Sequence, residues 1–508
     1  MRLAWYVVLF ASLLVARLLY VVVKHFASPL RKFPGPTLGR FTKLWYLNRV
    51  RQGRFHLENI DLHRKHGPVV RLAPDWYSIN VPDKAVYGAG SKFTKSDWYQ
   101  GWKHPSPERW TLFTDQDLKR HSESRRIFQT MYSMSSMVSY EKFVDDCEVI
   151  FSRRLSEFSK TGEVVDMGHW FQCLAFDVIG NISYSQRFGF LDRGDDIAGI
   201  IAALDRSMKY SALSGIYSGL HPVTYKLMET SSHSGAAGRN YVAEFARRII
   251  ASRQEQRKTS PAQERSDSDQ ELPRDFLDKL LDGHAASPEK VTPYHIWMAG
   301  FSNIGAGSDT TAASLSGILY HLLKTPQALQ RLRREIEEFE ANGALGKTRV
   351  SFKESQSMPY LQAVIKEGLR MHPATGLPLW RRSPAGGATI AGHYFPAGTV
   401  VGLNCWVAHF DEGIFGSDAK TFRPERWLEA KLEGEDKVKQ MEGYYMPVSS
   451  ACHPRSPIAF VNVVGSLAWE RDHALESTSP SWKSQNYCLK SFEISTLSWS
   501  TRPSSGPR

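Results

Sequence analysis

The stretch Gly305-Ala306-Gly307-Ser308-Asp309-Thr310-Thr311 sets one carboxyl and three hydroxyls among small residues. Such a set passes protons along a short path where a groove opens beside it. No proline falls between Pro293 and Pro326, and apolar or small residues such as Ile296, Met298, Ala299, Ile304, Ala312, Leu315, Ile318 and Leu322 surround most of the helical circumference. The segment therefore reads as a long, buried central helix. Gly305 and Gly307 each cost about 1 kcal/mol against alanine in a helix interior, so close approach of another body must compensate them. Thr310 stands one turn after Ala306, where its hydroxyl bonds back to that carbonyl and loosens the ladder beside Asp309. A flat cofactor or a small molecule suits the resulting groove; a tight helix crossing with an ordinary polar aspartate is the competing reading.

A second constellation pairs Glu367 with Arg370, three apart on one helical face. The neighbours Leu361, Val364, Ile365 and Leu369 imply burial, and a buried guanidinium needs more acceptors than one carboxylate provides. Phe422-Arg423-Pro424-Glu425-Arg426-Trp427 offers them, with Arg426 on the Glu367 carboxylate and a turn carbonyl on Arg370.

These residues need a large scaffold, and 508 residues with 42% hydrophobic and 12% aromatic content supply a globular core. Lys+Arg 64 against Asp+Glu 52 gives a net charge of +12 without a long basic run, which favours a membrane surface or an acidic partner over nucleic acid. Cys147, Cys173, Cys405, Cys452 and Cys488 show no paired spacing, as in a reducing compartment. Leu3 to Val23 is apolar apart from Arg17, close to the ~20 residues that span a bilayer. Arg17 is within reach of an interface to which it can snorkel. Lys24, Arg31, Lys32, Arg40 and Lys43 follow the run while only Arg2 precedes it, which places the bulk of the chain in the cytosol. Phe33-Pro34-Gly35-Pro36 cannot continue a helix and reads as a stiff hinge. Val69-Val70-Arg71-Leu72 and Trp76 to Val81 read as a hairpin across Pro74-Asp75. Helical periodicity begins near Asp117, a polar loop is expected over Gln254 to Gln270, helix resumes at Asp275, and Ala388 to Leu403 carries short strands. The whole is a mainly α fold with small β-sheets: a membrane anchor at 1–25, a basic, proline-rich hinge at 26–40, a catalytic-type domain at 41–447 and a tail at 448–508.

The order of anchor, Pro-Gly-Pro hinge, Ala306-Gly307-x-Asp309-Thr310-Thr311, Glu367-x-x-Arg370 and Phe422-x-Pro424-Glu425-Arg426 resembles the haem-thiolate monooxygenases of the cytochrome P450 family. The likeness is to its fungal microsomal, pisatin-demethylase-like branch of secondary metabolism and covers roughly 33 to 447. It implies the cytochrome P450 fold behind one N-terminal transmembrane helix. It also implies oxidation of a lipophilic small molecule, haem as cofactor, and NADPH electrons from cytochrome P450 reductase, to whose acidic surface a basic face would dock. The resemblance makes Asp309 and Thr310 the proton-delivery pair and sets Ala306 and Gly307 against the haem. It gives the haem propionates to His121, Arg125 and Arg381, and makes Glu367, Arg370 and Arg426 a structural triad. Ala374 to Leu379 and the stretch from Trp98 to Phe113, with Tyr99, Trp102 and Trp110, correspond to substrate-lining loops, although those aromatics equally suit ordinary packing. The localisation implied is the endoplasmic reticulum membrane, with the domain cytosolic.

The pattern breaks after Pro447. Where the family reads Phe-x-x-Gly-x-Arg-x-Cys-x-Gly, this chain has Val448, Ala451, His453 and, in place of the iron-ligating cysteine, Arg455. Arginine stays protonated and offers iron no lone pair. Cys452 lies three residues early and is a weak candidate ligand, because Pro454 and Pro457 obstruct the helix that should follow. The metal ligand is thus unassigned by sequence. Valine codons begin with GT, as introns do, so a retained intron or a frameshift would explain the break. A catalytically dead, haem-deficient relic is the alternative to an active enzyme.

Overall fold

The computed structural model describes residues 2–88, 90–162, 164–259, 274–346 and 350–446. The tail, with Cys452 and Arg455, lies outside them. The elements that matter for the site are α1 (Arg2–Ala27), α2 (Leu118–Gln129), α3 (Glu141–Thr161), α4 (Met167–Tyr184), α5 (Ile200–Ser214), α6 (Gly235–Thr259) and α7 (Phe276–Ala286). They continue with α8 (Pro293–Lys324), α9 (Pro326–Ala341), α10 (Pro359–Met371), α11 (Glu425–Glu433) and α12 (Glu435–Tyr444). Short strands complete the fold: β1 (Val69–Ala73), β2 (Trp76–Ile79), β3 (Thr94–Lys95), β4 (Arg381–Arg382), β5 (Ala388–Ile390), β6 (His393–Phe395) and β7 (Val400–Leu403).

Helix starts follow local chemistry. The Asp117 carboxylate accepts from the Lys119 and Arg120 amides at 2.9 and 3.0 Å and opens α2. Thr292 and His295 form a capping box before α8, whose first residue is Pro293. At 32 residues, α8 runs about 48 Å and is the axis of the core. It packs against α4 over much of its length and touches α6, α7, α9 and α10. A Cβ on Gly307 would come within 2.9 Å of Ile179, and one on Gly368 within 2.4 Å of Ile318, so these glycines set the α8–α4 and α10–α8 crossings. A side chain of α4 thus lies against Gly307.

The five-stranded sheet has the order β1-β2-β7-β4-β3, with β2 and β7 parallel and the other neighbours antiparallel. β5 and β6 form a separate hairpin. The proline hinge is docked on the sheet: the Arg71 amide donates to the Pro34 carbonyl at 2.8 Å, and Leu30 and Phe33 are buried. The globule thus begins before the boundary expected at 41. Two other expectations shift. Of the loop expected over Gln254 to Gln270, the part up to Thr259 is helical, as the end of α6, and the rest lies outside the described residues. Among the described residues, no helix is long and apolar enough to cross a membrane. The span expected over Leu3 to Val23 therefore stands as the helix α1, with Trp5, Leu9, Leu13 and Leu19 exposed. Its C-terminal end is pinned to the β1–β2 hairpin by the Lys24–Asp75 ion pair at 2.9 Å and by Arg71 Nη1 donating to His25 Nδ1 at 2.8 Å.

Candidate active site

The middle of α8 carries a ladder of hydroxyls bonded back one turn. Ser308 Oγ donates to the Ile304 carbonyl at 2.9 Å, Thr310 Oγ1 to Ala306 at 2.7 Å and Ser314 Oγ to Thr310 at 2.8 Å. Ala306 and Thr310, one turn apart, are exposed, whereas Ile304, Ser308, Ala312 and Ala313 on the other sides are buried. Ala306 and Thr310 thus form an open strip midway along α8. Having given its proton to Ala306, the Thr310 hydroxyl keeps oxygen lone pairs to accept another. Beside it, the Asp309 carboxylate accepts from Gln172 Nε2 of α4 at 2.7 Å. Burial pushes the Asp309 pKa up to about 6, while the Gln172 bond pulls it down. Gln172 is a site residue that the sequence did not disclose, since its facing α8 is decided by helix packing.

A cationic cluster forms at the edge of the sheet. β3 and β4 pair so that Lys95 lies directly opposite Arg381, an arrangement of like charges that costs stability unless an anion lies near. Arg381 donates to Tyr99 Oη at 2.8 Å and to the Trp380 carbonyl at 3.2 Å, and its guanidinium lies over the Tyr87 and Tyr99 rings. Among the described residues it has no carboxylate partner. Lys95 Nζ donates to the Leu112 carbonyl. His121 faces this cluster from α2: burial, then the charges of Lys95, Arg125 and Arg381, hold its pKa down to about 4 against the opposing pull of Asp115. Arg125 follows one turn later and is exposed. The structure thus brings together the residues placed on haem propionates and adds Lys95, which the two-residue strand β3 hid from periodicity arguments. The cations from α2, β3 and β4 suit a group bearing carboxylates, and the exposed Ala306 and Thr310 of α8 suit a flat face.

The triad is formed as expected. Arg370 donates from Nε and Nη2 to Glu367 Oε2 and Oε1 at 2.8 and 2.7 Å, and Arg426 Nε reaches Oε1 at 2.9 Å. Arg370 Nη1 donates to the His409 and Ala419 carbonyls, each at 2.7 Å. Trp427 Nε1 and the Arg423 amide complete the shell of Glu367 at 2.9 and 3.0 Å. Burial alone would raise the Glu367 carboxyl, but Arg370 and Arg426 hold it below the ordinary value. A buried carboxylate with donors on both oxygens is a lock between α10 and the turn before α11.

Other site expectations are redistributed. Trp98 and Tyr99 are buried packing residues, with Trp98 Nε1 donating to the Ala212 carbonyl at 3.2 Å. Phe113 is exposed and packs edge-on against Tyr99 and Trp102. Cys147, Cys173 and Cys405 are buried, and burial raises each thiol, Cys173 and Cys405 to about 12. None of these is a thiolate at neutral pH. No cluster of metal ligands forms among the described residues.

The fold is mainly helical with small sheets, built around one long central helix that carries an exposed strip of Ala306 and Thr310. The cytochrome P450 family model matches residues 34–450, and the chain belongs to that family. It is 38% identical over 415 residues to a pisatin demethylase of Fusarium vanettenii, covering 81% of this chain and 78% of that one. It is 35% identical to a cytochrome P450 monooxygenase of Aspergillus terreus, covering 81% and 83%. It is 32% identical to the cytochrome P450 monooxygenase gsfF of Penicillium aethiopicum, covering 90% and 91%.

Proposed function

We propose that this chain is a haem-dependent monooxygenase that oxidises a lipophilic small molecule in fungal secondary metabolism. NADPH electrons would reach it through cytochrome P450 reductase at the endoplasmic reticulum membrane, with α1 as the point of attachment. The observation that carries the reading is the cationic cluster of His121, Arg125, Lys95 and Arg381, in which Arg381 has no carboxylate partner among the described residues. Haem, when bound, supplies oxygen activation and electron storage. The chain's own residues do the rest. His121, Arg125 and Arg381 hold the carboxylates and neutralise them. Asp309, with a pKa near 6, exchanges protons with solvent near neutrality, and Thr310 Oγ1 carries a proton from it toward the groove. The Glu367 lock keeps the opposite side of the molecule in place.

A second reading, the haem-deficient relic, is favoured by one feature of the sequence: Arg455 at the ligand position, with Cys452 three residues early. The reduced carbon monoxide difference spectrum of the full chain, expressed with haem supplied, decides between the two. A Soret band at the thiolate position establishes the enzyme; absence of haem uptake, or a band without thiolate character, establishes the relic. Sequencing the transcript across the codons for Met446 to Val464 tests the break: one continuous exon in this frame removes the splicing and frameshift explanations.

A further inference from the structure

Among the described side chains of α1, His25 is the one that is buried; its neighbours Lys24, Phe26 and Ala27 are exposed. The attachment of this helix to the globule therefore passes through one imidazole. Its ring meets Phe41 edge-on with centroids 5.0 Å apart, and its Nδ1 lies 2.8 Å from Arg71 Nη1. The second link, Lys24 to Asp75 at 2.9 Å, joins two half-exposed groups and contributes little.

The other side of the joint is held firmly. Arg71 is 2% exposed in the middle of β1, and its Nη2 donates to the Pro74 carbonyl at 2.6 Å. Its amide bonds to the Pro34 carbonyl, and residue 71 pairs with Tyr77 of β2. A guanidinium carries donors and no acceptor, so the bond to His25 requires a lone pair on Nδ1. That fixes the imidazole as the neutral tautomer with its hydrogen on Nε2. A proton on Nδ1 removes the acceptor and sets two cations in contact. The surrounding charges act in the same sense: Arg40 of the turn Leu38–Arg40 and Arg31 of the turn Pro29–Lys32 both disfavour a charged His25, as Arg71 does. Asp75, next to the proline that Arg71 holds, is paired with Lys24. Burial first, and the three arginines after it, hold the His25 pKa below the ordinary value.

We propose that the His25–Arg71 bond is a pH-sensitive latch that fixes the angle at which α1 leaves the globule, closed while His25 is neutral and released when it is protonated. A released α1 carries a histidine of ordinary pKa, about 6.5, and a docked α1 one of lower pKa. Docking is therefore full above about pH 6.5 and weakens by up to about tenfold per pH unit below it. The latch is independent of the monooxygenase reading. Where α1 attaches the chain to a membrane, the same proton frees the orientation of the globule.

Digestion of the full chain by proteinase K in detergent reads the latch as the rate of cleavage between residues 24 and 37, which follows the opened fraction when reclosing is fast. His25→Asn is the reference at each pH, because its Oδ1 stands near the position of Nδ1 and accepts from Arg71 without titrating. The ratio of the parent rate to the His25→Asn rate is expected to rise about tenfold from pH 7.5 to pH 5.5. His25→Lys, with a permanent cation at the joint, is expected to be cleaved at least tenfold faster than His25→Asn at pH 7.5. A ratio that stays constant between the two pH values overturns the proposal, as does a folded His25→Lys chain no more sensitive than His25→Asn. Thermal melts establish that each variant is folded, and the comparison of the parent with His25→Asn decides by itself if His25→Lys does not fold. No step of this test needs haem, so its failure is separable from failure in the carbon monoxide spectrum.

Discussion

Asp309 is the residue at which proton chemistry and stability pull in opposite directions. Its folded pKa of about 6 lies above the ordinary aspartate value, so the folded chain binds this proton more tightly than the unfolded one. Stability from that proton is full at low pH and is lost as pH rises from about 4 through about 6. Asp309→Asn should therefore be more stable than the parent at pH 7.5 by about 1–2 kcal/mol, given the partial exposure of the site, with the gap closing near pH 4; urea unfolding at both pH values measures this. In the active enzyme the same substitution should lower turnover by about 100-fold or more, because the acid of the pair is gone. Gln172→Leu removes the bond that lowers the Asp309 pKa. The alkaline limb of the pH–turnover profile should then move to higher pH, and an unmoved limb would show that Asp309 is not the titrating group. The motif pointed to Asp309 and Thr310 in the sequence. Gln172 was hidden because nothing in α4 marks which of its polar residues faces α8.

At the scale of elements, the lock between α10 and the segment leading into α11 is held by charge rather than by apolar packing. Arg370→Ala would leave Glu367 buried with half of its charged donors removed, at a cost of about 3–5 kcal/mol. Arg423→Ala, which loses only the partly exposed pairs with Asp418 and Glu429, should cost less than about 1 kcal/mol. Thermal melts of the two variants compare them directly, and equal losses would contradict the lock. The spacing of Glu367 and Arg370 was legible because three residues on a helix always share a face. The contributions of Trp427 and the Arg423 amide were not, since they depend on how the turn after Thr421 is folded. The hairpin β1–β2 and the helix starts at Asp117 and Asp275 were likewise legible from local chemistry, because turns and caps are decided within a few residues.

For the whole molecule, the proposed attachment to a membrane is tested at α1. Its exposed apolar side chains and the ion pair from Lys24 to Asp75 set a greasy rod against the edge of the sheet. The full chain should float with phosphatidylcholine vesicles in a density gradient, and a chain starting at residue 28 should remain at the bottom while keeping its melting transition. Equal flotation of both would place attachment elsewhere on the globule.

The sequence by itself determined the family, the central helix, the proton pair, the Glu367–Arg370 pair and the replacement of the axial cysteine by Arg455, because each is a matter of residue type at short, fixed spacing. Only the tertiary structure decided which cations converge, that Lys95 stands opposite Arg381, that Gln172 reaches Asp309, and that Gly307 serves a helix crossing. These contacts join residues tens to hundreds of positions apart, and their partners are chosen by strand register and helix packing, which no local pattern encodes.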